Sequence, residues 1–165
     1  AEPIPLAGGG AAQPTATVRI AHDEEFLFVA IEATSPDPEA VDPSAARPRD
    51  ADLSQRDRVT LRIDADRDYA TAFTLTVDER GWTHDALWGD PHWKPTWWVA
   101  ADADNAAWRV EAAIPLAELA DPEHVARAAW AVSLRRERPG ETPTSWPAGG
   151  AAPDSPDAYG LWLFD

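Results

Sequence analysis

Apolar and polar positions alternate along most of this chain. From Thr15 the segment TATVRIA places Val18 and Ile20 on one face, and His22-Asp23-Glu24-Glu25 follows as a turn. Glu25 to Ala33 (EFLFVAIEA) is a nearly continuous apolar run rich in Phe, Val and Ile. That composition predicts a central strand covered on both faces, and the spacing pairs it with the preceding segment as a hairpin. Asp57 to Asp64 (DRVTLRID) alternates cleanly, with Val59, Leu61 and Ile63 inward and Arg58, Thr60 and Arg62 outward. After an Asp64–Asp68 turn (DADRD), Tyr69 to Glu79 continues with Phe73, Leu75 and Val77 inward and Thr74 and Thr76 outward. Trp108, Val110, Ala112 and Ile114 align in AAWRVEAAI, and Trp130, Val132 and Leu134 align in AAWAVSLRR. GWTHDAL, TWWVAA and the closing AYGLWLFD read as further strands. Pro115 opens a short helix, PLAELA, at a position where its missing N–H costs nothing.

Short alternating strands punctuated by turn residues, with one short helix, predict an all-β fold. The expected architecture is an antiparallel β-sandwich of the jelly-roll or immunoglobulin-like kind. Residues 1–14 read as a linker, with Ile4 and Leu6 able to form an edge strand, and residues 15–165 as the domain. Two long loops rich in proline or glycine, Thr34–Gln55 and Arg138–Asp157, interrupt the pattern; loops of that length inside a domain usually carry function or motion.

Composition narrows the chemistry. The 165 residues suffice for one domain with a real core. A formal net charge of −15 argues against nucleic acid and anionic lipid as partners. There is no cysteine, so disulfides, thiolate catalysis and cysteine-ligated zinc are excluded. No run is long and apolar enough to span a membrane. The absence of methionine suggests a domain excised from a longer chain. Nucleophile elbows, zinc-protease motifs and phosphate loops are lacking, and the acids offer no particular catalytic pair, so no enzyme activity is expected.

One stretch departs from this plain picture. Gly81 to Val99 (GWTHDALWGDPHWKPTWWV) holds five of the nine tryptophans, together with His84, His92 and the sole lysine, Lys94. Each buried indole needs a partner for its N–H, so such density points to exposed rings. Trp108 and Trp130 fall in phase with the core. Trp82, Trp88, Trp93 and Trp146 fall at turns or in loops, and of Trp97 and Trp98 one points in and one out. These six loop and turn residues, with Asp85 and His92 as polar neighbours, form the candidate binding face for a flat ligand such as a sugar ring. The plainer reading is a tryptophan-rich loop packed on its own sheet. Asp64-x-Asp66-x-Asp68 has the opening spacing of a calcium loop, but Tyr69 and Leu75 replace the glycine and glutamate of an EF-hand. Asp50, Asp52 and Asp57 form a second oxygen-rich cluster in sequence.

The order of AHDEEFLFVAIEA, LSQRDRVTLRID, FTLTVDERG, WRVEAAIPLAEL and YGLWLF resembles the family 9 carbohydrate-binding modules and their relatives, from about Thr15 to the C-terminus. The resemblance implies a β-sandwich from an exported bacterial protein, extracellular or periplasmic. It also implies sugar binding without catalysis and, as the one cofactor, a structural calcium ion. In that family two tryptophans and an arginine clamp the sugar; the matching positions here are about Ser54, Pro153 and Thr74, so the clamp is not carried over. The expected function is therefore non-catalytic glycan binding through other residues. The alternative is a structural module packing its aromatic face on a neighbouring domain.

Overall fold

The computed structural model describes residues 1–8, 15–35, 41–42, 46–120, 129–149, 152 and 155–163. Among these, eleven strands form two antiparallel sheets. They are β1 (Ile4–Leu6), β2 (Ala16–His22), β3 (Phe26–Thr34), β4 (Arg58–Asp64), β5 (Phe73–Asp78), β6 (Thr83–Leu87), β7 (Trp98–Ala103), β8 (Ala107–Pro115), β9 (Ala129–Glu137), β10 (Thr144–Trp146) and β11 (Gly160–Leu163). Sheet A runs β1-β2-β3-β8-β7. Sheet B runs β10-β9-β4-β5-β6, with β11 also on β9. Backbone hydrogen bonds between Ala7 and Ser145 tie the β1 end of sheet A to β10.

The pleat explains the core. Val18, Ile20, Leu27, Val29, Ile31, Val110 and Ile114 of sheet A face Val59, Leu61, Ile63, Leu75, Val77, Val132 and Leu134 of sheet B. Trp108 and Trp130 are fully buried among them, as their phase predicted. A buried ion pair bolts the layers together. Arg136 of β9 donates from Nε to Asp57 Oδ1 (2.9 Å) and from Nη2 to Asp57 Oδ2 (2.5 Å). The same guanidinium reaches across to the carbonyls of Thr34 (2.7 Å) and Thr15 on sheet A. Trp108 Nε1–H donates to Asp57 Oδ2 at 2.8 Å, so its indole is satisfied by the same carboxylate. Every strong donor in this buried cluster has an acceptor, the condition under which such a pair is tolerable.

Three expectations are revised. The β3 run is covered on one face only: Leu27, Val29, Ile31 and Ala33 are buried, whereas Phe28 is 40% exposed. Apolar residues on its outer positions hid the alternation. The segment after Pro115 is a single 3-10 turn, Leu116–Glu118, with Pro115 still in β8 as its N-cap. Trp146 lies in a short strand, β10, rather than in a loop. Residues 164–165, the end of the predicted closing strand, lie outside the described residues, as does Pro153.

Candidate functional site

The tryptophans of 81–99 do not share a face. Trp97 points into the sandwich, and its Nε1–H donates to Asp85 Oδ2 at 3.2 Å. Asp85 itself is fully buried on β6 and also accepts from Arg49 Nη2 at 2.9 Å. Both residues thus hold the 46–50 segment and the β6–β7 connection in place, which corrects their expected placement on an open surface. Trp93 packs on Phe73 (centroids 5.0 Å apart), and Trp82 lies under the Arg80 guanidinium at 3.6 Å. Trp146 packs so closely over Gly160 that a Cβ there would stand 2.5 Å from the indole. His92 is exposed and pairs with Asp90 at 2.6 Å; the His92 amide, and then that side-chain pair, hold the Asp90 carboxyl below its usual range.

Two tryptophans remain exposed, on different surfaces. Trp98, 55% exposed, stands on the outer face of sheet A. Register places it beside Ala113 and, one strand further, Phe28, while Phe26 contacts both rings at 5.8 and 6.0 Å. Trp88, 75% exposed, is at the tip of the β5–β6 side of sheet B. Leu87 and Asp90 exchange backbone hydrogen bonds around it, and Trp88 and Gly89 have φ of 51° and 77°. That is the geometry of a two-residue hairpin turn, which ordinarily takes Asn or Gly at its first central position. A tryptophan there is strained, and such strain is characteristically kept at functional positions.

Tyr69, the other strained aromatic, lines the same depression as Trp88. Its φ is 57°, and its amide is pinned by Asp64 Oδ2 at 2.6 Å. Together with Tyr159, Arg62, Thr74 and Gly89, these two rings line a depression of about 370 Å³. Tyr69 and Tyr159 meet edge to face at 5.8 Å, and the Arg62 guanidinium lies 5.9 Å from the Tyr159 ring. A second depression of about 230 Å³ adjoins it, sharing Arg62 and Thr74 as a wall, and is lined further by Thr60, Ser133, Arg135, Glu137, Ser145 and Pro147. Together they form a groove over the outer face of sheet B, with aromatic rings at one end and hydroxyls and guanidiniums along the floor. The outward positions of β4, Arg58-Thr60-Arg62, were legible in sequence. That Ser133, Arg135 and Ser145 come beside them depends on the β4–β9–β10 pairing.

The acidic clusters separate as well. Asp57 belongs to the buried ion pair, Asp50 to Lys94 (2.6 Å), and Asp52 caps the Ser54 amide, so these three form no common site. Asp64, Asp66 and Asp68 do converge, with carboxylate oxygens within 4.8 Å of one another. Burial, and then the neighbouring Asp66 carboxyl, push the Asp64 pKa up. The same carboxylates accept from the amides of Arg67, Tyr69, Asp68, Ala70 and Thr71, which builds the turn that presents Tyr69.

No family model and no curated protein matches the chain. Solved structures do. A candidate carbohydrate-binding protein from Bacteroides uniformis superposes with a TM-score of 0.69 at 14% identity, over 99% of this chain and 86% of its own. A family 9 carbohydrate-binding module from Caldicellulosiruptor kristjanssonii, in complex with glucose, gives 0.61 at 16% identity over 88% of this chain and 74% of its own. The same kind of module with cellotriose gives 0.62 at 16% identity, over 88% and 72%. The fold is that of the family 9 modules. Identity this low establishes the family 9-like sandwich and leaves the site to be argued from this chain's own residues.

Proposed function

We propose that this family 9-like sandwich is a non-catalytic carbohydrate-binding domain of an exported protein, and that the glycan lies in the sheet B groove. The observation that carries the reading is the groove itself: strained, exposed Trp88 and Tyr69 with Tyr159 at one end, and Thr60, Thr74, Ser133 and Ser145 along its floor. Indole and phenol faces cover sugar C–H surface, while hydroxyls and arginine N–H groups meet ring hydroxyls. The fold shared with sugar-bound modules supports the same conclusion. Of the tryptophans in 81–99, Trp88 alone serves this groove, so the binding face is narrower than the whole stretch. Calorimetric titration against a panel of soluble oligosaccharides tests the reading; no heat from any glycan at several millimolar sinks it. A structural calcium ion has its best-placed donors at Asp64, Asp66 and Asp68, and a thermal midpoint insensitive to both calcium and chelator would remove it.

A second reading has its own observation. Phe26, Phe28 and Trp98 form an exposed aromatic cluster on sheet A, where most of the surrounding outer positions are alanine. Rings inclined to one another, at 65° for Phe26–Trp98 and 41° for Phe26–Phe28, suit protein packing better than a coplanar sugar platform. This face would dock a neighbouring domain. Sedimentation of the wild type and Trp98→Ser over a concentration series tests it: self-association that the substitution abolishes supports docking, and no association at any concentration removes it.

A further inference from the structure

The groove is basic in a protein whose formal net charge is −15. Register brings Arg58, Arg62 and Arg135 onto one outer face: Arg58 lies opposite Glu137, Arg62 between Ser133 and Thr74, and Arg135 between Ser145 and Thr60. Among the described residues, Glu137 is the one carboxylate lining these depressions. It is divided between two guanidiniums, Arg58 Nη2 at 2.9 Å from Oε2 and Arg135 Nε at 3.4 Å from Oε1. Arg58 is further fixed by donating to the carbonyls of Leu53 (3.2 Å) and Ser54 (3.0 Å). Arg135 is not fixed in that way. Glu137 is its only ion-pair partner among the described residues, and Nε makes that contact, so the pair leaves both Nη groups unengaged. Its side chain is 28% exposed, open enough to reach and sheltered enough for charge to count.

Two guanidiniums sharing one carboxylate are one negative charge short. The planar fork of arginine matches a carboxylate in two parallel hydrogen bonds. We propose that the groove selects a glycan bearing a carboxylate, a uronic acid residue, received by Arg135. Thr74 and Ser133 are then placed to meet its ring hydroxyls, while Trp88, Tyr69 and Tyr159 cover the adjoining sugar. A neutral ring at that position leaves the Arg135 fork without an anion and forfeits the charge-assisted part of the binding. This inference rests on the carbohydrate reading above. It differs from the neutral sugars, glucose and cellotriose, seen in the structural neighbours.

The test is calorimetry at low salt with oligogalacturonate, oligomannuronate and glucuronate-substituted xylo-oligosaccharide, each beside its carboxyl-reduced counterpart. At least one uronate is expected to bind about ten- to a hundred-fold tighter than its reduced form. That gap should shrink at 0.5 M salt. Arg135→Gln should close the gap, weakening the uronate far more than its reduced form. Arg135→Lys, which keeps the charge and loses the fork, should retain part of it and guards against a folding defect in the glutamine variant. Arg109→Gln, on the outer face of sheet A, should leave the gap intact. Reduced glycans binding as tightly as uronates, or a gap that survives Arg135→Gln in a folded protein, overturns the charge inference and leaves the carbohydrate reading standing. If no glycan of either kind binds, both fall.

Discussion

Trp88 gives the sharpest test, because its roles in binding and in stability separate. A ring covering ~100 Å² of sugar surface contributes about 2.5 kcal/mol at the usual area coefficient. Two such faces in the groove, Trp88 and a tyrosine, give about 5 kcal/mol, a Kd of order 0.2 mM before ordering costs. Trp88→Ala should therefore weaken binding roughly 70-fold, beyond ordinary detection. The effect on the fold should be small. Trp88 is 75% exposed. Roughly a quarter of a ~200 Å² side chain is then buried, worth about 1.2 kcal/mol at most, or about 3 °C in a domain of this size. The backbone supplies an internal control. At φ 51° any residue with a Cβ pays a left-handed penalty that glycine does not, about 1 kcal/mol. Trp88→Gly should thus melt about 2–4 °C above Trp88→Ala while losing binding equally. Calorimetric titration and thermal melts of the three proteins read both quantities. Affinity retained within twofold in a folded Trp88→Ala protein places the glycan elsewhere. A glycine variant less stable than the alanine one refutes the left-handed turn.

Two further predictions concern stability. Arg136→Met strands the Asp57 carboxylate between the sheets and leaves the carbonyls of Thr15 and Thr34 without their donor. Loss of about 3–5 kcal/mol is expected, a fall in Tm of at least about 6 °C, whereas an unchanged Tm would falsify the inter-sheet bolt. The acid limb of the melting curve follows from the carboxylates. Backbone amides at Asp23, Asp52, Asp68, Asp90 and Asp104, and Lys94 at Asp50, hold these groups below 3.8 in the folded protein, so their stabilisation is complete above that value and lost as the pH falls through their folded pKa values. Asp64, raised by burial, works in the opposite sense: its charged form is penalised above its folded pKa, and that penalty is relieved as the pH falls towards 3.8. Tm should hold or rise slightly down to about pH 4 and drop below it, and the slight rise should vanish in Asp64→Asn; a steady rise in Tm down to pH 2 refutes the assignment.

What the sequence determined is the sandwich. Side chains alternate across a strand with a period of two, so Val59-Leu61-Ile63 and Trp108-Val110-Ala112-Ile114 declare their buried face without reference to any partner. β3 shows the limit of that rule. When outer positions are also apolar, as at Phe26 and Phe28, periodicity cannot tell two-sided burial from an exposed aromatic face. The site was less legible for the same physical reason. Indoles cluster in sequence between Gly81 and Val99, but strands diverge, and the pleat sent Trp97 inward to Asp85, Trp98 out over sheet A, and Trp88 to the tip of sheet B. The groove is assembled from residues far apart in the chain: Arg62 and Thr74 from β4 and β5, Ser133 and Arg135 from β9, Ser145 from β10, and Tyr69 and Tyr159 from connections. Those on strands are ordinary outward residues of their own strand, and the two tyrosines sit in separate connections. Only strand pairing places Arg135 opposite Thr60 and leaves two guanidiniums to share one carboxylate, because register is a long-range property that no local pattern encodes.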